Sequence, residues 1–112
     1  MTYTQHFRTP EETLYDHPEG HFIVSRHLEY IGREWRTYVH TEVYYFSPTV
    51  LRQMHAVFDE LRPKLPPVIG AFNWLVGPRE DHFMTRFGFR KTAPIVWDDG
   101  IARPLWLHDR RK

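Results

Sequence analysis

The 112-residue sequence predicts an α/β (α+β) domain, a mixed and mostly antiparallel sheet with two helices. Three stretches carry that expectation. Two runs of period-two alternation, His21 to Ile31 and Trp35 to Phe46, flank Gly32-Arg33-Glu34 and read as an antiparallel pair. A Ser-Pro-capped amphipathic helix then leads into the apolar run Val68–Val76, the strand–helix–strand order of a right-handed crossover between parallel neighbours. Near the end, Asp98-Asp99-Gly100 supplies a hairpin turn.

Taken in order, residues 1–20 are expected to be short and irregular. Thr9-Pro10-Glu11-Glu12 has the chemistry of a helix N-terminus and predicts one helical turn through Tyr15, stopped by the loop residues Asp16-His17-Pro18-Glu19-Gly20. In the first strand Phe22, Val24, Arg26, Leu28 and Tyr30 alternate with Ile23, Ser25, His27, Glu29 and Ile31, so both faces are partly apolar and the strand reads as central. Ser47 and Pro48 fit the N-cap and first helical position of a helix that places Leu51, Met54, His55, Phe58 and Leu61 on one side and ends near Pro63. Val68–Val76 is a strand buried on both faces. Arg79–Phe87 forms a short helix capped by Gly88, Phe89–Trp97 and Ala102–Leu107 are the last two strands, and Pro104 assigns the final one to an edge. His108–Lys112 reads as a solvated charged tail.

Length is that of one domain, residues 1–112, with a single core built on four Trp, six Tyr and eight Phe. Fifteen basic against fourteen acidic residues give no field to attract nucleic acid or an anionic membrane, and no apolar run is long enough to span one. Without cysteine there are no disulfides, thiolate ligands or cysteine nucleophile, which fits a reducing, cytoplasmic location. His17 with His21 stands at helical spacing, and His27 with His40 is expected to face across the first hairpin. No His-Glu-x-x-His pattern accompanies them, so they read as solvated or core residues and no metal is expected. Trp35, Tyr38, Tyr44, Tyr45, Phe46 and Trp74 read as core packing rather than as a platform for bases.

The element order, with His82-Phe83-Met84-Thr85-Arg86-Phe87-Gly88-Phe89 ahead of an antiparallel hairpin, resembles the carboxy-terminal half of the GNAT (GCN5-related N-acetyltransferase) fold. The likeness covers Phe22 to Leu107, and in style it is nearest to small GNAT-like proteins encoded by tailed phages. It implies that acyl-CoA lies in an opening between two splayed strands. The departures are specific. Where the family has a glycine-rich pyrophosphate loop, Phe46-Ser47-Pro48-Thr49-Val50-Leu51 has no glycine and Pro48 lacks an N–H. Gly77-Pro78 stands where the family often has Asn, Met84 stands where it often has the Tyr general acid, and twenty residues are too few for the usual amino-terminal helices.

Carried onto this chain, the resemblance makes Glu42 or His40 the base that deprotonates an amine through water, with Tyr44 as the acid. Phe46, Ser47, Thr49, Val50 and Gly77 would hold acetyl-CoA or a related acyl-CoA. Packing or hydrogen bonding on an ordinary sheet face is the competing explanation for His40, Glu42 and Tyr44. Two functions follow. One is a GNAT-like scaffold that binds a host protein or a CoA-like ligand without efficient acyl transfer; the other is an active N-acetyltransferase. The partners implied are a CoA-like small molecule, a host protein or a second copy of the chain in a homodimer, with neither nucleic acid nor membrane.

Overall fold

The computed structural model describes residues 6–31, 33–72, 78–96 and 99–111. Its elements are β1 (His6–Arg8), β2 (Glu12–Asp16), β3 (Phe22–Ile31), β4 (Glu34–Val43), α1 (Pro48–Leu61), a 3-10 turn (Arg62–Lys64), β5 (Val68–Ala71), α2 (Pro78–Arg86), β6 (Arg90–Val96) and β7 (Ala102–Asp109). The described strands form one seven-stranded sheet in the order β1-β3-β4-β5-β7-β6, with β2 also paired to β3. The expected α+β class, the β3–β4 hairpin and the parallel β4–β5 pair are all present; the other strand pairs are antiparallel.

Two patches of side chains hold the helices to the sheet. Under α1, Phe22 and Val24 pack with Val50, Met54 and Val57; under α2, Ile69 and Ala71 pack with Leu65, Met84, Phe89 and Trp106. Val39, Phe83 and Phe87 touch both patches. The register pairs Phe22 with Val43 and Ala71 with Trp106, so these side chains share one sheet face and both helices cover it. The buried stripe of α1 is therefore Val50, Met54 and Val57, one residue round from the stripe that its sequence suggests. His55 is only half-buried and stacks on Phe87 with ring centroids 4.0 Å apart.

Four expectations are corrected. The amino-terminal segment is not a helical turn but two short strands along the edge of β3. Thr9 N–H donates to Leu28 O at 2.9 Å and the Leu28 N–H donates to Thr9 Oγ1 at 2.8 Å, so Thr9 caps a strand crossing. An uncovered β3 edge would leave main-chain donors and acceptors without strand partners, and β1 and β2 supply them. β7 is not an edge strand, because it lies between β5 and β6. Among the described residues β5 pairs with Trp106 to Asp109 and not with Pro104, so no described β5 group is deprived of a bond by the missing N–H.

Of the expected solvated tail, His108 and Asp109 belong instead to β7, Arg110 and Arg111 are exposed, and position 112 lies outside the described residues. β7 continues to Asp109, His108 packs against Phe58 and Phe89, and Arg110 N–H donates to Pro67 O at 3.0 Å. β4 ends at Val43 rather than Phe46, since the N–H groups of Tyr44 and Tyr45 both turn to His21 O, at 2.8 and 3.2 Å. β5 comprises only Val68–Ala71; positions 73–77 of the expected strand lie outside the described residues.

Candidate functional site in the gap between β4 and β5

The parallel strands β4 and β5 meet at one registered pair, Tyr38 with Gly70. Glycine is needed at that point because the Tyr38 ring lies over it: a Cβ on residue 70 would stand 2.6 Å from Cε2 of Tyr38. Beyond the pair β5 ends at Ala71 while β4 runs on to Val43, and no described strand covers this stretch of the β4 edge. Among the described residues the sheet therefore has a gap between β4 and β5 past this pair. On the helix side it leads into a cleft of about 280 Å³ walled by Val39, Thr41, Met54, Phe58, Ala71, Phe83, Met84 and Phe87, with His40 and Glu80 as its ionisable residues. Such a lining suits an apolar or mixed ligand held by a few polar groups.

The opposite face carries a second cavity, of about 260 Å³, lined by Arg8, Glu11, His27, Glu29, Tyr38 and Glu42. Val39, His40 and Phe72 line both spaces, so the two cavities border each other at the strand gap. This polar set comes from the period of two, which puts Ser25, His27 and Glu29 of β3 on one face and brings Tyr38, His40 and Glu42 of β4 beside them. His27 faces Tyr38 across the hairpin, and His40 faces Ser25; the expected His27–His40 pairing is thus corrected by the register.

Within the second cavity the polar groups are closely linked. His27 Nε2 lies 2.5 Å from Glu29 Oε1, and both side chains are buried. One of the two atoms carries the proton of this contact, and Nδ1 of His27 is buried with no hydrogen-bond partner. Arg8 stands 3.7 Å from Glu29 and 3.7 Å from Glu11. Ser25 Oγ donates to Glu11 Oε1 at 2.7 Å, and this bond leads the causes that hold the Glu11 carboxyl below its ordinary value. Tyr38, stacked between His27 and Phe72, has its phenol pushed up to about 12, chiefly by burial, so it remains a neutral wall of the cavity.

His40, Glu42 and Tyr44 do come together. His40 Nε2 lies 3.6 Å from Glu42 Oε1, and the Tyr44 hydroxyl donates to Glu42 Oε2. The bond to Glu42 raises the Tyr44 phenol above its ordinary value and makes it a poorer acid. His40 reaches both cavities and Glu42 the polar one, whereas Tyr44 lines neither and is exposed past the end of β4.

The expected cofactor residues divide. Ser47 is the N-cap of α1, and its Oγ accepts from Val50 N–H at 3.1 Å while its carbonyl accepts from Leu51 N–H at 2.9 Å. Since Pro48 has no N–H, Thr49 N–H is what this helix start has left to offer a phosphate. Val50 is 2% exposed and belongs to the core, Phe46 is exposed, and Gly77 lies outside the described residues.

Glu11, Glu29 and Arg8 were not among the sequence candidates. The pattern Ser25-x-His27-x-Glu29 was a signal: three polar residues on one face of a strand otherwise expected to be central. Glu11 and Arg8 gave none, because they reach the cavity only through the placement of β1 and β2. Among the described residues no helix is long and apolar enough to cross a membrane. No family model matches the chain, and neither a curated protein nor a solved structure matches it.

Proposed function

We propose that the chain is a GNAT-like domain that binds a CoA-like ligand in the cleft beside β4 and does not transfer its acyl group efficiently. In keeping with the phage-like style of the sequence, it would act in a host cytoplasm by modulating a host protein. The observation that carries the ligand reading is the parting of β4 and β5 at Gly70, which leaves an apolar cleft beside a strand edge without a described partner. Inefficient transfer is supported by the helix start, where Thr49 N–H is the donor left over, and by the acid position. Met84 is packed in the core, and the Tyr44 hydroxyl is outside the cleft and committed to Glu42. The exposed run Val43, Tyr44, Tyr45 and Phe46 offers a surface for the protein partner.

One observation favours an active N-acetyltransferase instead. His40 lines both cavities, and the polar one sets Glu11, Glu29 and Glu42 against Arg8, an acidic balance that suits an amine acceptor. Calorimetric titration with acetyl-CoA tests the common part: saturable binding is expected, and Thr41→Trp, which fills the cleft, should abolish it. No binding at millimolar acetyl-CoA overturns both readings. Mass spectrometry of a host lysate incubated with protein and acetyl-CoA separates them. Acetylated products that disappear with His40→Gln would replace the binding reading by the enzymatic one.

A further inference from the structure

The turn between β2 and β3 brings His17, Glu19 and His21 together, with one nitrogen or oxygen ligand atom from each within 4.8 Å of the others. None of the three lines either cavity of the sheet gap. His17 is buried and its two ring nitrogens have distinct partners. Glu19 N–H donates to Nδ1 at 3.1 Å, and Nε2 lies 3.0 Å from Gln53 Oε1 on α1. Nδ1 therefore holds the lone pair and Nε2 the proton, which it donates to the amide oxygen. An imidazole whose far N–H donates to a carbonyl-type oxygen is oriented as metal-bound histidines usually are.

His21 gives the second, independent observation. Its Nδ1 is shielded from solvent and has no hydrogen-bond partner, a condition that costs free energy unless something binds there. The ring is stacked on His17 with centroids 4.7 Å apart and packs against Tyr45 at 4.8 Å. Glu19 is exposed and adds a carboxylate to the pair. We propose that His17, Glu19 and His21 form a binding site for a first-row divalent transition ion, with zinc as the probe. Two imidazoles and a carboxylate match the ligand preferences of such ions and leave a fourth position for water or a group from a partner.

Bonds of about 2.0–2.2 Å set tetrahedral ligands about 3.4 Å apart, so the group must close by up to about 1.4 Å. The exposed Glu19 side chain supplies part of that movement, and the two stacked imidazoles must tilt to turn both lone pairs toward one ion. The ion also replaces Glu19 N–H as the partner of His17 Nδ1, while the bond from Nε2 to Gln53 is kept.

The test is calorimetric titration of the full chain with zinc, together with visible spectra of the cobalt form. One ion per chain is expected, with cobalt bands typical of nitrogen and oxygen ligands. His21→Gln should weaken binding about 100-fold and Glu19→Gln about tenfold, whereas His82→Gln on the exposed side of α2 should leave it unchanged. Failure to bind one zinc per chain at millimolar concentration overturns the proposal. So does unchanged affinity in both turn variants. Should His21→Gln not fold, as its circular dichroism would reveal, the exposed Glu19→Gln decides.

Discussion

Gly70→Ala is the sharpest perturbation of the strand gap. The added Cβ would lie 2.6 Å from Cε2 and 2.9 Å from Cδ2 of Tyr38, about 1 Å inside the best carbon–carbon separation of roughly 3.5–4.0 Å. The ring has little room to yield, because Tyr38 is 2% exposed and stacks with His27 at 5.9 Å and Phe72 at 5.4 Å. Overpacking of this kind costs about 1–3 kcal/mol, and the blocked ring places this case in the upper half of that range. With a urea slope of about 1–3 kcal/mol/M, the unfolding midpoint should fall by roughly 1 M.

Equilibrium unfolding followed by tryptophan fluorescence and circular dichroism measures the loss. The same substitution in a Tyr38→Ala background should cost almost nothing, because the atoms it strikes are gone, and the cycle should give a coupling of about 1–3 kcal/mol. A Gly70→Ala protein within about 0.5 kcal/mol of the parent would refute the reasoning. An equal loss in both backgrounds would refute it too, since the cost would then lie in the backbone and not under Tyr38.

Arg62→Met removes the donors to His108 Nδ1 (2.7 Å), Pro66 O (2.7 Å), Pro67 O (2.6 Å) and His108 O (3.2 Å) and should destabilise by about 3 kcal/mol in the same urea experiment; a change below about 1 kcal/mol would contradict the linkage of the 3-10 turn after α1 to β7. Burial, with the Arg62 charge as a second cause, holds the His108 imidazole below its ordinary value of 6.5. Above that pH the ring is neutral in both states and its full stability is present. As pH falls through 6.5 toward the lowered folded value, the unfolded chain takes up the proton first and stability is lost. His108→Gln should flatten this part of the stability profile, and an unchanged slope would assign it to other groups. Ser47→Ala removes the side-chain cap on Val50 N–H and should cost about 1 kcal/mol by thermal unfolding, with no loss counting against the cap.

The sequence made the local elements legible because their signals lie within a few residues. Ser47 and Pro48 start α1 as expected, and Gly88, with φ of 87°, follows α2. Asp99 Oδ1 accepts from Ile101 N–H in the turn before β7. The period of two also places His40, Glu42 and Tyr44 near one another. It could not show that Tyr44 stays outside the cleft, because that depends on where β4 ends. Nor could it reveal the capture of residues 6–16 by β3, since Thr9 reads as a helix cap until Leu28, nineteen positions away, becomes its partner. Arg62 likewise reads as a solvated helix residue until the strand bearing His108 reaches it.

By itself, then, the sequence determined the α+β class, the order of its main strands and helices, and the polar stripe from which a site is assembled, all written in periodicity, caps and turn residues. Tertiary structure alone decided that β7 lies between β5 and β6, that the described parts of β4 and β5 part at Gly70, and that Arg8 and Glu11 share a cavity with His27 and Glu29. Those features arise from contacts between residues far apart in the chain, where burial and strand pairing depend on which neighbour arrives, and no short stretch of sequence holds that information.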